Sequence, residues 1–184
     1  LLLRRHPDER QQYYLENMKG SSDHILSLVN DLLDFQRLES GEMEVHSVPF
    51  RVPALFDEIY TSFQPIAEAK GLRFVLNLKP EETGQVYMGD PIRIRQVVGN
   101  LLSNAIKFTE AGRVVLLVSL QKLSAVHYQL SITVSDSGPG IPKEEQERIF
   151  GEFTRLADTE EVEGFGLGLS ITRKLLSLMN GTLA

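Results

Sequence analysis

The sequence predicts a two-layer α/β sandwich, with helices packed on one face of a mixed sheet, preceded by a long helix of different character. Three observations carry this reading. From Glu9 to Ser40 there is no proline and one glycine, and apolar residues recur at three- and four-residue spacing. After Gly41 the texture changes to short strand-like and helix-like segments that do not alternate strictly, which favours a mixed sheet over a repeated βα unit. Within that region, Arg113–Gln121 and Val126–Ser135 are rich in β-branched residues and separated by four residues, so they read as neighbouring strands. A domain boundary is expected there, with residues 1–41 on one side and 42–184 on the other.

In the first segment Met18, Ile25, Leu28, Val29, Leu32 and Phe35 form the apolar stripe. Leu26 and Leu33 widen it beyond one flat contact, as in a helix with more than one neighbour in a bundle. Gly41 is a stop signal, and Pro7-Asp8 read as a turn, so Leu1–Arg5 fit the tail of a preceding helix in an antiparallel hairpin. Met43–Val48 then reads as a short strand. Val52–Lys70 reads as a helix with Leu55, Ile59, Phe63 and Ile66 on one face and Gly71 as terminator. Leu72–Leu78 alternates as a strand. Pro91–Phe108 is helical, with Asp90 as N-cap and proline at the first turn. Beyond the two strands, Pro142–Phe150 and Leu167–Met179 read as helices.

Composition excludes several classes. With 42% hydrophobic and 24% charged residues, the 184-residue chain is neither collagenous nor disordered. Its net charge of −6 comes from interspersed charges and no basic stripe, so nucleic acid is not an expected partner. There are no cysteines for disulfides or thiolate metal sites, and the four histidines, His6, His24, His46 and His127, lack metal-ligand spacing. No apolar run approaches the roughly 18–20 residues of a membrane-spanning helix, and Leu1–Leu3 are too few for a signal peptide. A start without methionine suggests a piece of a longer chain.

Three motifs carry chemistry. Asp136-Ser137-Gly138-Pro139-Gly140-Ile141 directly follows the strand ending at Ser135. Its glycines allow a tight turn that approaches a flat ligand without Cβ obstruction, and the aspartate can accept from an exocyclic amine such as that of adenine. By themselves these residues fit an ordinary strand-to-helix turn with an Asp cap equally well. Gly164-Phe165-Gly166-Leu167-Gly168-Leu169 opens the last helix, where unencumbered backbone N–H groups and the helix dipole favour phosphate. It is neither a Walker A loop nor a G-x-G-x-x-G dinucleotide fingerprint. Asn100 and Asn104 lie four apart on one helix face, with Lys107 close behind. Magnesium with its waters and a polyphosphate is one partner for such amides; water or backbone is the commoner one.

In this order and spacing the three motifs resemble the N, G1 and G2 boxes of the histidine-kinase branch of the gyrase, Hsp90, histidine-kinase and MutL ATPase superfamily. Ile149-Phe150-Gly151-Glu152-Phe153-Thr154-Arg155 is similar to its F box. The first helix, from Ser21-Ser22-Asp23-His24-Ile25-Leu26 through Asn30-Asp31-Leu32-Leu33-Asp34-Phe35 to Leu38-Glu39-Ser40-Gly41, resembles the second helix of a kinase dimerisation hairpin. The wording Phe153-Thr154-Arg155-Leu156 and Glu163-Gly164-Phe165-Gly166-Leu167-Gly168-Leu169 is nearest to kinases of hybrid type.

The resemblance implies a Bergerat-type ATP-binding fold that donates the γ-phosphoryl of Mg-ATP to a histidine, for relay to a response-regulator aspartate in two-component signalling. It implies that Asp136 receives the adenine amine and that Gly138 and Gly140 shape the pocket floor. Asn104 would ligate Mg²⁺, and Lys107 would contact phosphate. Arg155 would neutralise charge at the γ-phosphate. Asn100 stands where gyrase-like relatives carry a water-activating glutamate, which suits transfer to a protein over hydrolysis. Residues 156–163 would form a mobile lid, with Gly164, Gly166, Leu167, Gly168 and Leu169 at its hinge and nucleotide-facing edge. Implied partners are an acceptor-histidine helix of the same or a partner subunit, a receiver domain and a second copy of the first helix. The expected setting is the cytoplasmic portion of a membrane-anchored sensor.

Two departures stand out. No acceptor motif of the His-Glu or His-Asp kind is present: His24 lies in second-helix context and is expected to be structural, and His6 is expected to be a solvated loop residue. The family's closing strands are also missing after Gly181-Thr182-Leu183-Ala184, so both ends read as cropped. Two other readings are an interaction module with a degenerate nucleotide domain and an ATP hydrolase. The intact Asn104, Asp136 and glycines weigh against the first, and Asn100 in place of glutamate against the second.

Overall fold

The structure, a computed structural model, describes residues 8–79, 85–152, 154 and 166–183, apart from the side chains of Glu9, Asp23, His24 and Ser27. His6 and the whole 156–163 segment therefore lie outside the described residues, as does the side chain of His24. The chain divides into two compact units, Leu1–Met43 and Glu44–Ala184.

In the first unit, α1 spans Glu9–Glu39. Asp8 caps it by accepting from the Gln11 amide, and the Gln11 side chain accepts in return from the Asp8 amide, satisfying two end donors at once. At the other end Gly41, at φ +70°, lets Glu42 N reach Arg37 O and Gly41 N reach Leu38 O, which closes the last carbonyls of the helix. Along α1, Met18, Ile25, Leu26, Val29, Leu32 and Leu33 are exposed. The wide stripe read from the sequence is thus present and uncovered.

The second unit contains β1 (Val48–Phe50), α2 (Val52–Ala69), β2 (Arg73–Leu78), β3 (Tyr87–Gly89), α3 (Pro91–Phe108), β4 (Arg113–Lys122), β5 (Tyr128–Asp136) and α4 (Gly168–Leu178). β2 pairs parallel with β4, and β4 antiparallel with β5, giving a three-stranded mixed sheet. β1 and β3 form a separate antiparallel ribbon with Val48 opposite Gly89. On β4, Val114, Leu116 and Val118 are fully buried and share a face with Phe74 on β2 and with Val134 and Ile132 on β5. That face packs against Leu55, Phe56 and Ile59 of α2 and Val98, Leu102 and Ile106 of α3. The opposite face carries the exposed Ser131, Thr133 and Ser135. Helices on one face of this mixed sheet make the two-layer α/β arrangement that the sequence predicts.

α3 begins where its cap dictates. Asp90, 5% exposed, accepts from the amides of Ile92 and Arg93 and, across the chain, from the amide of His46. α2 ends at Lys70, whose Nζ donates to Ile106 O at 2.8 Å and Lys107 O at 2.6 Å, the last carbonyls of α3.

Three elements differ from expectation. The strand expected at Met43–Val48 forms instead at Val48–Phe50, because Met43 is drawn into burial and the His46 amide is taken by Asp90. Its partner β3 is too short to show a period of two, and the sequence reading omits it. Pro142–Phe150 is no α-helix: it turns through i+3 bonds, Glu145 N to Pro142 O and Arg148 N to Glu145 O, into a 3₁₀ turn at Arg148–Phe150. Residues 143–148 are charged or polar and nearly all exposed, so no apolar face holds a longer helix down.

Candidate nucleotide-binding site

α3 is the spine of the site. Asn100, Asn104 and Lys107 stand on successive turns of it, each half-buried. Asn104 makes no side-chain hydrogen bond among the described residues, so its carboxamide is uncommitted. Lys107 places Nζ 5.0 Å from the centre of the Phe108 ring, a cation–π contact that keeps the amine close to the helix end.

At its C-terminus α3 meets the end of β5. Thr109, fully buried, donates its hydroxyl to Ala105 O at 2.7 Å, and the same oxygen lies 3.5 Å from Asp136 Oδ1. With its one proton committed to Ala105, Thr109 leaves the aspartate free to accept from elsewhere. Asp136 Oδ1 takes the Gly138 amide at 2.8 Å, a turn in which the carboxylate caps its own loop. The other carboxylate oxygen accepts nothing among the described residues, and Asp136 is exposed. The loop is secured from behind: Ser137 Oγ accepts from Arg113 N at 2.9 Å and donates to Ala111 O at 3.0 Å. Gly140 follows at φ +75°.

At the middle of α3, Asn100 meets α4. Its Nδ2 donates to Gly168 O at 3.2 Å and to Thr172 Oγ1 at 3.3 Å. Gly166, at φ +72°, turns the chain into α4, whose N-cap Leu167 supplies no side-chain bond. Donors of the first turn, at Gly168, Leu169 and Ser170, therefore have no intrahelical acceptor and point out of the helix N-terminus. Leu167 itself is 2% exposed, so only its backbone can face a ligand; Leu169 is half-buried. Further along α4, Lys174 Nζ pairs with Glu152 Oε1 at 2.8 Å and Arg173 lies over the Phe150 ring.

The structure thus brings Asn100 to Gly168, and the end of the helix carrying Asn104 and Lys107 to Asp136 and Gly138. Arg155 and Gly164 lie outside the described residues. Sequence reasoning missed Thr109, Thr172, Lys70 and Lys174. Thr109 could have been read from its place directly after Phe108 at a helix end; the other three contact residues far away in sequence and carry no local signal.

No group of three or more His, Cys, Asp or Glu side chains that could hold a metal occurs among the described residues. Magnesium does not need one: it is commonly held by one or two protein oxygens, substrate phosphates and water. The uncommitted Asn104 carboxamide suits that mode, as a single hard oxygen donor.

The chain resembles known proteins over most of its length. Residues 89–184 match the family of histidine kinase-, DNA gyrase B- and HSP90-like ATPases, and residues 1–41 match the His kinase A (phospho-acceptor) domain. The chain is 38% identical over 177 residues to the signal transduction histidine-protein kinase BarA of Escherichia coli (strain K12), covering 95% of this chain and 19% of that protein. It is 36% identical to the sensor protein GacS of Pseudomonas syringae pv. syringae, over 94% of this chain and 19% of the relative. The chain thus spans about a fifth of the length of these relatives. Among solved structures, full-length ShkA in complex with AMPPNP superposes with a TM-score of 0.76 at 33% identity, over 93% of this chain and 34% of that one. The histidine kinase ThkA in complex with the response regulator protein TrrA gives 0.64 at 25% identity, over 97% and 48% respectively.

Proposed function

This chain belongs to the sensor histidine kinases, as an ATPase-family domain joined to part of a phospho-acceptor domain, and we propose that it binds Mg-ATP and donates the γ-phosphoryl to a histidine on another helix. One observation carries the proposal: a single helix, α3, aligns an uncommitted amide at Asn104 between the acceptor edge of Asp136 and the uncapped N-terminus of α4. An adenine acceptor at one end and free backbone donors at the other match the two ends of a nucleotide.

In this reading Asp136 accepts the adenine amine while Gly138 and Gly140 keep side chains off the ring plane. Asn104 and Lys107 face the phosphates. Gly164, Gly166, Gly168 and the backbone at Leu167 and Leu169 border them, and Arg155 supplies a further cation. Bound magnesium, held by Asn104 and the phosphates, would neutralise charge that builds on the transferred group. The amide at Asn100 cannot act as the base that a glutamate provides, which favours transfer to a protein side chain over hydrolysis. The partners of the whole protein would be its acceptor helix, in the same or a partner subunit, and a receiver domain, and the exposed stripe of α1 would form a homodimer. The setting would be the cytoplasmic portion of a membrane-anchored sensor; no helix among the described residues is long and apolar enough to cross a membrane.

Titration with Mg-AMPPNP tests the reading. Wild-type chain is expected to bind, Asp136→Asn to lose binding, and incubation with labelled ATP to leave no stable phosphohistidine on this chain. Unchanged affinity in Asp136→Asn, or label on His24, would refute the corresponding assignment.

A further inference from the structure

Asn100 is already engaged. Both of its acceptors, Gly168 O at 3.2 Å and Thr172 Oγ1 at 3.3 Å, belong to α4 and lie one helical turn apart. Thr172 is fully buried, so its hydroxyl cannot touch a nucleotide and depends on protein partners. The first turn of α4 has no cap of its own at Leu167. It is joined to α3 by the Asn100 amide, whose two N–H groups can serve two oxygens at once.

We propose that Asn100 and Thr172 form a positioning latch that fixes the first turn of α4, and with it the backbone donors at Gly168, Leu169 and Ser170, against α3. The inference rests on the reading of this site as a nucleotide pocket and deepens it: Asn100 acts through α4, and Thr172 is a positioning residue for the phosphate end. The adenine end is built differently, from Asp136, Gly138 and the Ser137 bonds to Ala111 and Arg113, and shares no hydrogen bond with the latch among the described residues. Loosening the latch should therefore cost affinity for phosphates and spare adenosine.

The test is a double-mutant cycle read by calorimetry with two probes, Mg-AMPPNP and adenosine. Thr172→Val keeps the buried volume and removes the acceptor; Thr172→Ser restores it. Thr172→Val is expected to weaken AMPPNP binding about tenfold, the scale of a coupled hydrogen bond, and to leave adenosine within about twofold. Thr172→Ser should recover AMPPNP affinity. Asn100→Ala combined with Thr172→Val should cost no more than Asn100→Ala alone. Should Thr172→Val fail to fold, Thr172→Ala takes its place in the cycle. Strictly additive losses, equal weakening of both probes, or unchanged AMPPNP affinity would each overturn the latch while leaving the nucleotide site standing. A wild-type chain that binds neither probe would overturn the site itself, and the latch with it.

Discussion

Asp136 Oδ1 and the Gly138 amide are joined by a 2.8 Å hydrogen bond, and the space beside them is full: a Cβ on Gly138 would lie 2.8 Å from that oxygen and 3.0 Å from Phe108 O. Phe108 O is backbone and cannot yield, so the carboxylate must swing away. Gly138→Ala is expected to weaken AMPPNP and adenosine alike, by about 10- to 100-fold, the scale of a hydrogen bond to a charged group. Calorimetry checks it. The equal effect on both ligands separates this lesion from one at the phosphate end.

Asp90 controls the start of α3. Burial works to raise its pKa, but hydrogen bonds from Arg93, His46 and Ile92 and the nearby Arg93 charge outweigh it, so the carboxyl titrates below its ordinary value of 3.8. A depressed folded pKa means the ionised form is favoured in the folded protein. Its stabilisation is complete above about pH 4 and is lost as pH falls through the folded value. Asp90→Ala should cost about 1–2 kcal/mol at pH 7 and flatten the acid limb of a stability–pH curve measured by urea denaturation. An unchanged acid limb would contradict the assignment.

Lys70 closes the opposite end of α3 by donating to Ile106 O and Lys107 O. Lys70→Met keeps the aliphatic stem and removes the donor. It is expected to lower stability by about 1 kcal/mol in urea denaturation.

The stripe of α1 is open, with Ile25 58% and Leu26 61% exposed. In solution the chain is expected to associate through it. Ile25→Glu with Leu32→Glu should shift sedimentation velocity toward a monomer and leave AMPPNP affinity unchanged. A monomeric wild type would contradict the role given to α1.

Much of this protein is determined locally. α3 runs from Pro91 to Phe108 as its cap and periodicity predict, since the Asp90 and Pro91 preferences act within one turn. β4 and β5 likewise follow from β-branched runs of adequate length, and the three motifs of the candidate site are legible because glycines, amides and an aspartate at short spacing leave a mark in one dimension. Segments without such a signal are not legible in the sequence. The strand at Val48–Phe50 exists only because β3 lies beside it, and residues 142–150 had helical composition but no apolar face to bury. Contacts across long sequence separations were invisible for the same reason. Asn100 to Thr172, Lys70 to Ile106, and Lys174 to Glu152 are pairings of groups whose partners only folding brings near. The sequence by itself determined the order and spacing of the amides, the aspartate and the glycines on which the nucleotide reading rests. The tertiary structure decided which of them are held in place by others, because a hydrogen bond between two helices depends on their packing and not on the residues flanking either one.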